Sequence, residues 1–413
     1  MRDALQERLR RLPQDWTVER LGKLRSAHIL GYGITRPGNH ADDGVGMIRA
    51  ADIQDGRLDS RQPRRISPQV HEANLRSRVE AGDVVVILVG RVGEAAVVTD
   101  EFHHWNASRT VGIIRVTDPD EGAWLSLWLR SPEVRQWCER QATSSTLQRT
   151  LALAALRDMP VPLPPAGPRE AFLRAMQILE EKTATNIRIA DCAITLSEAQ
   201  FAVETWQSRE WPEQPFGALA ELHAGTASRP SPDKDGIPTK DRIAFASPAD
   251  ILQGGLPYLY RTERLLASAD DASVCDLGSL LVASREDGVQ VMRNEVPVAA
   301  GRGVLVLKPD SAADSYWLLH EIRSRSSELA ANAQGSAGRE LSRRAFSSTV
   351  VRWPPQKVRE RFARIAGRLH ARAQTAQAEN ETLRNLGNQI LDGFLNGTFA
   401  WKSAKFPSLS TQC

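Results

Sequence analysis

The sequence predicts a mixed α/β (α+β) protein, built as a pseudo-twofold internal repeat of two globular domains and two long helices. Three observations predict this class. One order of strand and helix patterns occurs twice, each copy closes on a Pro-Pro pair, and a long helical pattern follows each pair. At 413 residues the chain is also too long for a single hydrophobic core.

Each half begins with strand patterns and continues into a helix that bears tryptophan. β-Branched runs bounded by glycine, such as VVVILV at residues 84–89, are typical of buried strands. The matching pieces of the first and second halves are 46–59 with 243–258, 79–98 with 274–292, 111–116 with 303–308 and, for the helix, 123–142 with 315–333.

A closing motif ends each globular part. It reads TSSTLQRTLALAALRDMPVPLPP at residues 143–165 and QGSAGRELSRRAFSSTVVRWPP at residues 334–355. The terminal prolines can continue neither a helix nor a central strand, so a boundary is expected at each. With the prolines aligned, the matching residues are Arg149 with Arg339, Leu151 with Leu341, Leu156 with Phe346, and Val161 with Val351.

Apolar residues after each Pro-Pro pair recur at about the 3.6-residue period of a helix. An apolar stripe on so long a helix needs a partner helix, and the obvious partner is the other copy. The alternative is that each helix packs on its own domain. The stripes comprise Phe172, Met176, Leu179, Thr183, Ile187, Ala190, Ile194 and Phe201, then Phe362, Ile365, Leu369, Ala376, Leu383, Leu386, Ile390 and Phe394.

These patterns divide the chain into five parts. Two globular domains alternate with two long helices, and a short tail without a periodic pattern follows the second helix. The predicted bounds are 1–163 for the first domain, 164–206 for the first helix, 207–354 for the second domain, 355–400 for the second helix and 401–413 for the tail.

Composition sets limits on partners and location. The net charge of +3 permits an acidic partner such as nucleic acid without requiring one. The four cysteines, Cys138, Cys192, Cys275 and Cys413, are scattered, which favours a reducing compartment over a disulfide framework or zinc site. The sequence has neither a secretory signal pattern nor an apolar run of membrane-spanning length. We therefore expect a cytoplasmic protein.

Motifs for covalent chemistry are absent from the sequence. It contains no GxxxxGK[ST] phosphate loop, no HExxH and no GxSxG. Asp83 and Glu94 lie close together in the first half, but no lysine follows at the spacing of a nuclease carboxylate cluster. We expect no catalytic residue and no metal site in this chain. A metal-dependent nuclease that uses Asp83 or Glu94 stays open as an alternative.

Arginine dominates the basic residues of the predicted loops, together with small hydroxyl and amide side chains. The planar guanidinium suits bidentate contacts with phosphates and guanine edges, and hydroxyl and amide groups bind the same partners. The candidate DNA-binding residues are Arg36, Arg49, Arg91, Asn106, Ser108, Arg109, Ser144, Ser145, Thr146, Arg149, Arg229, Lys240, Arg285, Arg293, Asn294, Arg302, Ser336 and Arg339.

In the order of its parts, the chain resembles the specificity (S) subunits of type I restriction–modification systems. The similarity extends over nearly the whole length. Its motifs are WTVERLGKL (16–24), the GDVVV strand near residue 82, the first closing motif with its long helix, and LRNLGNQILDGFLNGTF (383–399). Two departures stand out: the Glu-Gln that usually follows Pro-Pro is missing from both halves, and the second half has QGSA in place of TSST.

The resemblance implies a function for the repeat. In this family two target-recognition domains each read one half of a split DNA sequence, and the long helices pack as an antiparallel coiled coil that acts as a spacer. It implies three macromolecular partners: double-stranded DNA, two copies of a DNA adenine methyltransferase subunit, and a restriction subunit that is also a motor. It further implies that S-adenosylmethionine, ATP and Mg are bound by those partners and not by this chain. A two-domain DNA reader of a different defence or modification system is the alternative.

Overall fold

The computed structural model describes residues 4–54, 56–59, 63–143, 149–206, 208–227, 230–232, 242–252, 255–262, 264–266, 274–285, 288–331 and 341–398. Contacts group the chain into unit 1, residues 1–180 and 384–413, and unit 2, residues 181–383. This grouping divides both long helices, so the five-part division expected from sequence stays a prediction. The expected tail at 401–413 lies outside the described residues.

Unit 1 contains eleven described strands and five short helices. The strands are β1 Thr17–Arg20, β2 Ala27–Tyr32, β3 Val45–Ile48, β4 Ile53–Gln54, β5 Arg57–Leu58, β6 Arg64–Ile66, β7 Val84–Ile87, β8 Ala95–Val97, β9 Asn106–Ala107, β10 Val111–Val116 and β11 Pro160–Leu163. The helices are α1 Ala4–Arg10, α2 Pro68–Ala73, α3 Pro119–Arg130, α4 Pro132–Gln141 and α5 Leu153–Asp158. The first long helix, α6, is Ala166–Thr205.

A central sheet forms the core of unit 1. Its strand order is β2-β10-β7-β8, and a second sheet has the order β6-β3-β9. Val84 and Val86 belong to the apolar cluster that contains Trp124 of α3, whereas Val85 belongs to the cluster that contains Ile48 of β3. Both faces of β7 are therefore covered, which explains why the run at residues 84–89 is apolar throughout and does not alternate.

Unit 2 contains the remaining elements. The strands are β12 Glu213–Pro215, β13 Ala220–Ala224, β14 Ser231–Pro232, β15 Ile243–Ala246, β16 Tyr258–Leu259, β17 Arg264–Leu266, β18 Val274–Cys275, β19 Leu280–Arg285, β20 Gly288–Asn294, β21 Val298–Ala300, β22 Leu305–Pro309 and β23 Val350–Arg352. The helices are α7 Phe216–Leu219, α8 Pro248–Leu252, α9 Ala312–Ser324, α10 Ser326–Ala331, α11 Arg343–Ser348 and the second long helix α12, Gln356–Leu395.

The internal repeat extends to the strand order of the sheets. In unit 2 the central sheet runs β13-β22-β19-β20-β16, and the order of its first four strands matches β2-β10-β7-β8 of unit 1. The second sheet of each unit places one strand between an antiparallel and a parallel neighbour, β3 between β6 and β9, and β15 between β17 and β21. The mixed fold of two similar parts expected from sequence is confirmed.

The two long helices run antiparallel. Within unit 2, Phe201 near the end of α6 lies 5.6 Å from Phe362 near the start of α12, ring centre to ring centre. Further along, the Asn186 amide donates to Glu379 Oε2 at 2.8 Å. Within unit 1, Phe172 near the start of α6 stacks at 4.2 Å on Phe394 near the end of α12. The two long helices and their mutual packing, expected from the apolar stripes, are both found.

In each unit, the ends of the two long helices pack into an aromatic cluster of two tryptophans and two phenylalanines. In unit 1 the cluster contains Trp16, Trp124, Phe172 and Phe394, with ring centres at most 5.8 Å apart for each contacting pair. In unit 2 the members are Trp211, Trp317, Phe362 and Phe201. The helices therefore pack both on each other and on their domains, which combines the two packing alternatives left open by the sequence.

The helix seam departs from the expected stripes at several positions. Ile187, Ile365 and Leu386 are exposed, although their spacing placed them in the stripe. Asn186 and His370 are instead fully buried. At residues 186 and 187 the side chain in the seam is that of Asn186 and not that of its apolar neighbour, and this polar residue is accepted there because Glu379 of α12 satisfies its amide.

A buried polar chain in unit 2 shows how such residues are satisfied. His320 Nε2 lies 2.9 Å from both Ser197 Oγ and His370 Nε2. The Tyr258 hydroxyl hydrogen-bonds to His370 Nδ1. Burial lowers the pKa of His320 to about 2 and that of His370 to about 3, so both rings are neutral near neutral pH. This series of hydrogen bonds connects α6, α9, α12 and β16.

Replacement of Phe172 by alanine tests the aromatic cluster of unit 1. Phe172 is fully buried between Trp124 and Phe394, so Phe172→Ala should lower the free energy of unfolding by ~3–5 kcal/mol in urea denaturation. Ile178→Ala is the control, since Ile178 lies on the same helix but is 58% exposed, and it should change little. A Phe172→Ala protein as stable as the control would contradict this packing.

Candidate nucleic-acid interface

The loop after β2 and the turn before β10 lie side by side in unit 1. The Ile34 amide donates to the Ala107 carbonyl, and the Arg109 amide donates to the Ile34 carbonyl, both at 2.8 Å. A side chain at Gly33 would bring its Cβ to 1.8 Å from the Ala107 oxygen, so only glycine permits this approach. Gly33 is therefore required by the close packing of the two segments.

The same row of hydrogen bonds continues to the closing motif. The Leu88 amide donates to the Thr110 carbonyl, and the Leu151 amide donates to the Leu88 carbonyl, each at 2.8 Å. The Gly90 amide donates to the Arg149 carbonyl at 2.9 Å. Segments 33–36, 107–110, 88–91 and 149–151 thus form one continuous edge, which we call the loop edge of unit 1.

Four predicted arginines lie on this loop edge, and their side chains differ in what they bind. Arg36 and Arg109 are exposed, and within the described part of the chain neither guanidinium has a protein partner. Arg91 pairs with Glu94 at 3.1 Å and donates to two backbone carbonyls. Arg149 lies 3.8 Å from Glu139 and remains largely exposed. The loop edge is therefore positively charged, and the guanidinium groups of Arg36 and Arg109 are its least neutralised charges.

The side chains of three other predicted residues of unit 1 form hydrogen bonds with other groups of the protein. Asn106 is 0% exposed, and its amide donates to Ser77 Oγ at 2.7 Å. Ser108 is buried and bonds to Thr110 Oγ1 at 2.8 Å. Arg49 makes two hydrogen bonds to the carboxylate of Asp52, at 2.6 and 3.0 Å, which raise its pKa. These contacts stabilise the fold at the edge of the second sheet, and the Arg49 side chain remains 38% exposed. DNA binding by the three residues stays a prediction.

In unit 2, Arg302 is exposed in the turn between β21 and β22. Arg293 instead pairs with Glu295 and lies 5.3 Å above the Tyr316 ring. Asn294 is fully buried and donates to the Val296 carbonyl at 3.1 Å. Of these three predicted residues, only Arg302 presents its side chain to solvent.

The remaining candidates, or their side chains, lie outside the described residues. The residues that lie outside the described part of the chain are Ser144, Ser145, Thr146, Arg229, Lys240, Ser336 and Arg339, and the side chain of Arg285 is likewise outside it.

Sequence reasoning missed Tyr32, which ends β2 beside the loop edge. Its side chain is 56% exposed, and it immediately precedes Gly33. An exposed aromatic ring next to arginines can stack on a base. The signal was present in the sequence as GYG at residues 31–33, a tyrosine between two glycines.

The carboxylates considered for a nuclease are both paired with arginines. Asp83 is buried and binds Arg115 at 2.9 Å, and Glu94 binds Arg91 and Arg135 at 3.1 and 3.2 Å. Within the described ranges, no group of three or more His, Cys, Asp or Glu residues is arranged to hold a metal ion. None of the helices searched there is long and apolar enough to cross a membrane.

Comparison with known proteins identifies one curated relative. The type I restriction enzyme EcoBI specificity subunit of Escherichia coli is 30% identical over 173 residues. The chain is similar to a type I specificity subunit. The resemblance stated from the motifs is thereby confirmed over this stretch, which is 41% of the chain and spans about a third, 35%, of the relative's length.

Comparison with solved structures finds S subunits of type I restriction–modification systems. The type I restriction–modification S subunit from M. genitalium has 12% identity and a TM-score of 0.48, covering 93% of this chain and 98% of that chain. The HsdS subunit from Thermoanaerobacter tengcongensis has 18% identity and a TM-score of 0.35, covering 94% and 98%. No protein-family model matches the chain.

Proposed function

We propose that this chain is the DNA-reading specificity subunit of a type I restriction–modification complex, with unit 1 and unit 2 each reading one half of a bipartite target. The observation that carries the proposal is the 30% identity to the EcoBI specificity subunit. The loop edge of unit 1 supports it, because exposed guanidinium groups there suit phosphates and base edges. We also propose that the chain acts in the cytoplasm and performs no covalent step itself.

Two reading units in one chain explain why the fold is doubled. Each unit alone makes a modest contact, but once one half-site is bound the second unit binds as if at high local concentration. The total affinity then depends on both half-sites and on the gap between them. In this proposal the antiparallel long helices act as the spacer.

An exposed apolar stripe on α6 and on Trp206, the residue that follows it, supports docking of a partner helix. Cys192, Leu196, Ala199, Val203 and Trp206 are all exposed and follow one another at alternating steps of four and three residues. Leu196, Val203 and Trp206 are 58%, 67% and 87% exposed. Steps of four and three are the spacing of a coiled-coil seam, so this stripe suits an amphipathic helix of another subunit.

The proposed partners are two adenine methyltransferase subunits and a restriction subunit. S-adenosylmethionine, ATP and Mg would then be bound by those subunits. The helix stripe is proposed as part of the contact with a methyltransferase subunit, since its apolar surface is otherwise left in water.

The salt dependence of DNA binding tests the proposed function. The purified complex with the methyltransferase subunit should prefer one bipartite duplex over scrambled duplexes. Its affinity should fall steeply with added salt, because each neutralised phosphate contributes a slope of about −0.9 in log K against log [salt]. Equal affinity for all duplexes would contradict the proposal.

Charge substitutions on α6 test the partner surface. Leu196→Glu and Val203→Glu place carboxylates in the stripe and should abolish or strongly weaken co-purification of the methyltransferase subunit. Ile187→Glu is the matched control, because Ile187 is also exposed on α6 but faces away from Leu196. If the control loses the partner as readily as the stripe variants, the stripe is not the docking surface.

A further inference from the structure

One β-turn occurs in both units with arginine at the same place. Residues 107–111 read ASRTV and residues 300–304 read AGRGV. The Val111 amide donates to the Ser108 carbonyl at 3.0 Å, and the Val304 amide donates to the Gly301 carbonyl at 3.1 Å. Arg109 and Arg302 are therefore each the first of the two central residues of a turn.

The second sheet fixes both turns through the same hydrogen bond. The Ser108 amide donates to the carbonyl of Ile48, the last residue of β3, at 2.8 Å. The Gly301 amide donates to the carbonyl of Ala246, the last residue of β15, also at 2.8 Å. Because β3 and β15 hold matching positions in their sheets, the two turns begin at equivalent points of the fold.

The preceding loop approaches both turns in the same way. The Ile34 amide donates to the Ala107 carbonyl at 2.8 Å, and the Thr226 amide donates to the Ala300 carbonyl at 2.9 Å. A glycine precedes each of these donors, Gly33 and Gly225. Added Cβ atoms at the two glycines would lie 1.8 and 2.0 Å from carbonyl oxygens of their respective turns. The two turns are thus equivalent also in the glycine-bearing loop that packs closely against each of them.

Charge separates these two arginines from every other described candidate arginine except Arg36, which is also exposed without a carboxylate partner but does not lie in the repeated turn. Arg49, Arg91 and Arg293 each bind a carboxylate, and Arg149 lies 3.8 Å from one. Within the described residues no carboxylate pairs with Arg109 or Arg302, and both are exposed. A guanidinium without an acidic partner keeps its five N–H donors and its full charge for a ligand.

We infer that Arg109 and Arg302 are equivalent DNA-contact residues, each acting on the half-site read by its own unit. This inference rests on the proposed function and adds to it the residue pair that links each unit to its half-site. The ligand group is an acceptor on DNA, either a base edge or a phosphate oxygen.

The test is a set of coupling measurements on the complex with the methyltransferase subunit. Modified-base sequencing first defines the two half-sites. Affinities of the wild type, Arg109→Ala and Arg302→Ala are then measured for the intact duplex and for duplexes altered in one half-site. One alteration scrambles the bases, and the other replaces phosphates with uncharged methylphosphonates.

Each alanine variant should lose about 5- to 150-fold in affinity for the intact duplex. For Arg109→Ala, further alteration of one half-site should cost less than it costs the wild type, whereas alteration of the other half-site should cost the same. Arg302→Ala should give the same result with the two half-sites exchanged. The reason is that the effects of two changes are non-additive when the changed groups are in contact. Coupling to scrambled bases indicates a base edge, and coupling to methylphosphonates indicates a phosphate.

Arg157→Ala and Arg344→Ala are the controls. Both residues are exposed on α5 and α11, which pack at the other end of the central strands, beside Leu21–Lys23 and α7. They should bind all duplexes like the wild type. Retained co-purification and an unchanged thermal melt establish that the Arg109 and Arg302 variants are folded.

Two results overturn the inference in distinguishable ways. If the wild type discriminates half-sites but neither variant couples to either one, or both couple to the same one, the residue pair is wrong and the proposed function stands. If the wild-type complex does not discriminate between duplexes at all, the proposed function and the inference fall together.

Discussion

The burial of aromatic residues where the long helices meet is the constraint on which the rest of the structure depends. A 40-residue helix with an apolar stripe is not stable alone in water, and most of its stability comes from packing. Within each unit, two tryptophans of the domain and one phenylalanine from each long helix meet in one cluster. In unit 1 this cluster is continuous with the apolar core of the central sheet, whereas in unit 2 it forms a separate apolar cluster beside that core.

That core also determines where loops can present charge. Where the central and second sheets of each unit meet, their faces are covered by apolar contacts. Polar side chains that are able to contact a ligand therefore lie at the ends of the strands. At the loop edge of unit 1, backbone hydrogen bonds hold four separate segments in one row. A row fixed in this way holds the backbone of these arginines in defined positions. If the edge binds a ligand, that part of the chain does not have to be ordered again.

Much of the fold could be predicted from the sequence because the repeat and the helical period are properties of residue order. The Pro-Pro pairs correctly indicated where α6 and α12 begin, and the β-branched run gave β7. The seam was harder, since Ile187 and Asn186 are neighbours in sequence, and only the position of the second helix decides which of them is buried. Periodicity alone does not contain that information.

Individual site residues were less predictable for a related reason. Loop composition identified arginines as a class, but it could not distinguish Arg293, which Glu295 neutralises, from Arg302, which stays exposed. Asn106 looked like a loop amide and is instead fully buried, because it lies in a strand of the second sheet. Side-chain pairing and burial decide such cases, even for residues as near in sequence as Arg293 and Glu295, and both become visible only in three dimensions.

Sequencing of modified bases in a host that carries the chain with its methyltransferase subunit tests the central claim most directly. We expect methylated adenines at one bipartite motif with a fixed gap, and loss of this pattern when the gene for this chain is deleted. A methylation pattern that is unchanged by the deletion would contradict the account of two reading units joined by paired helices.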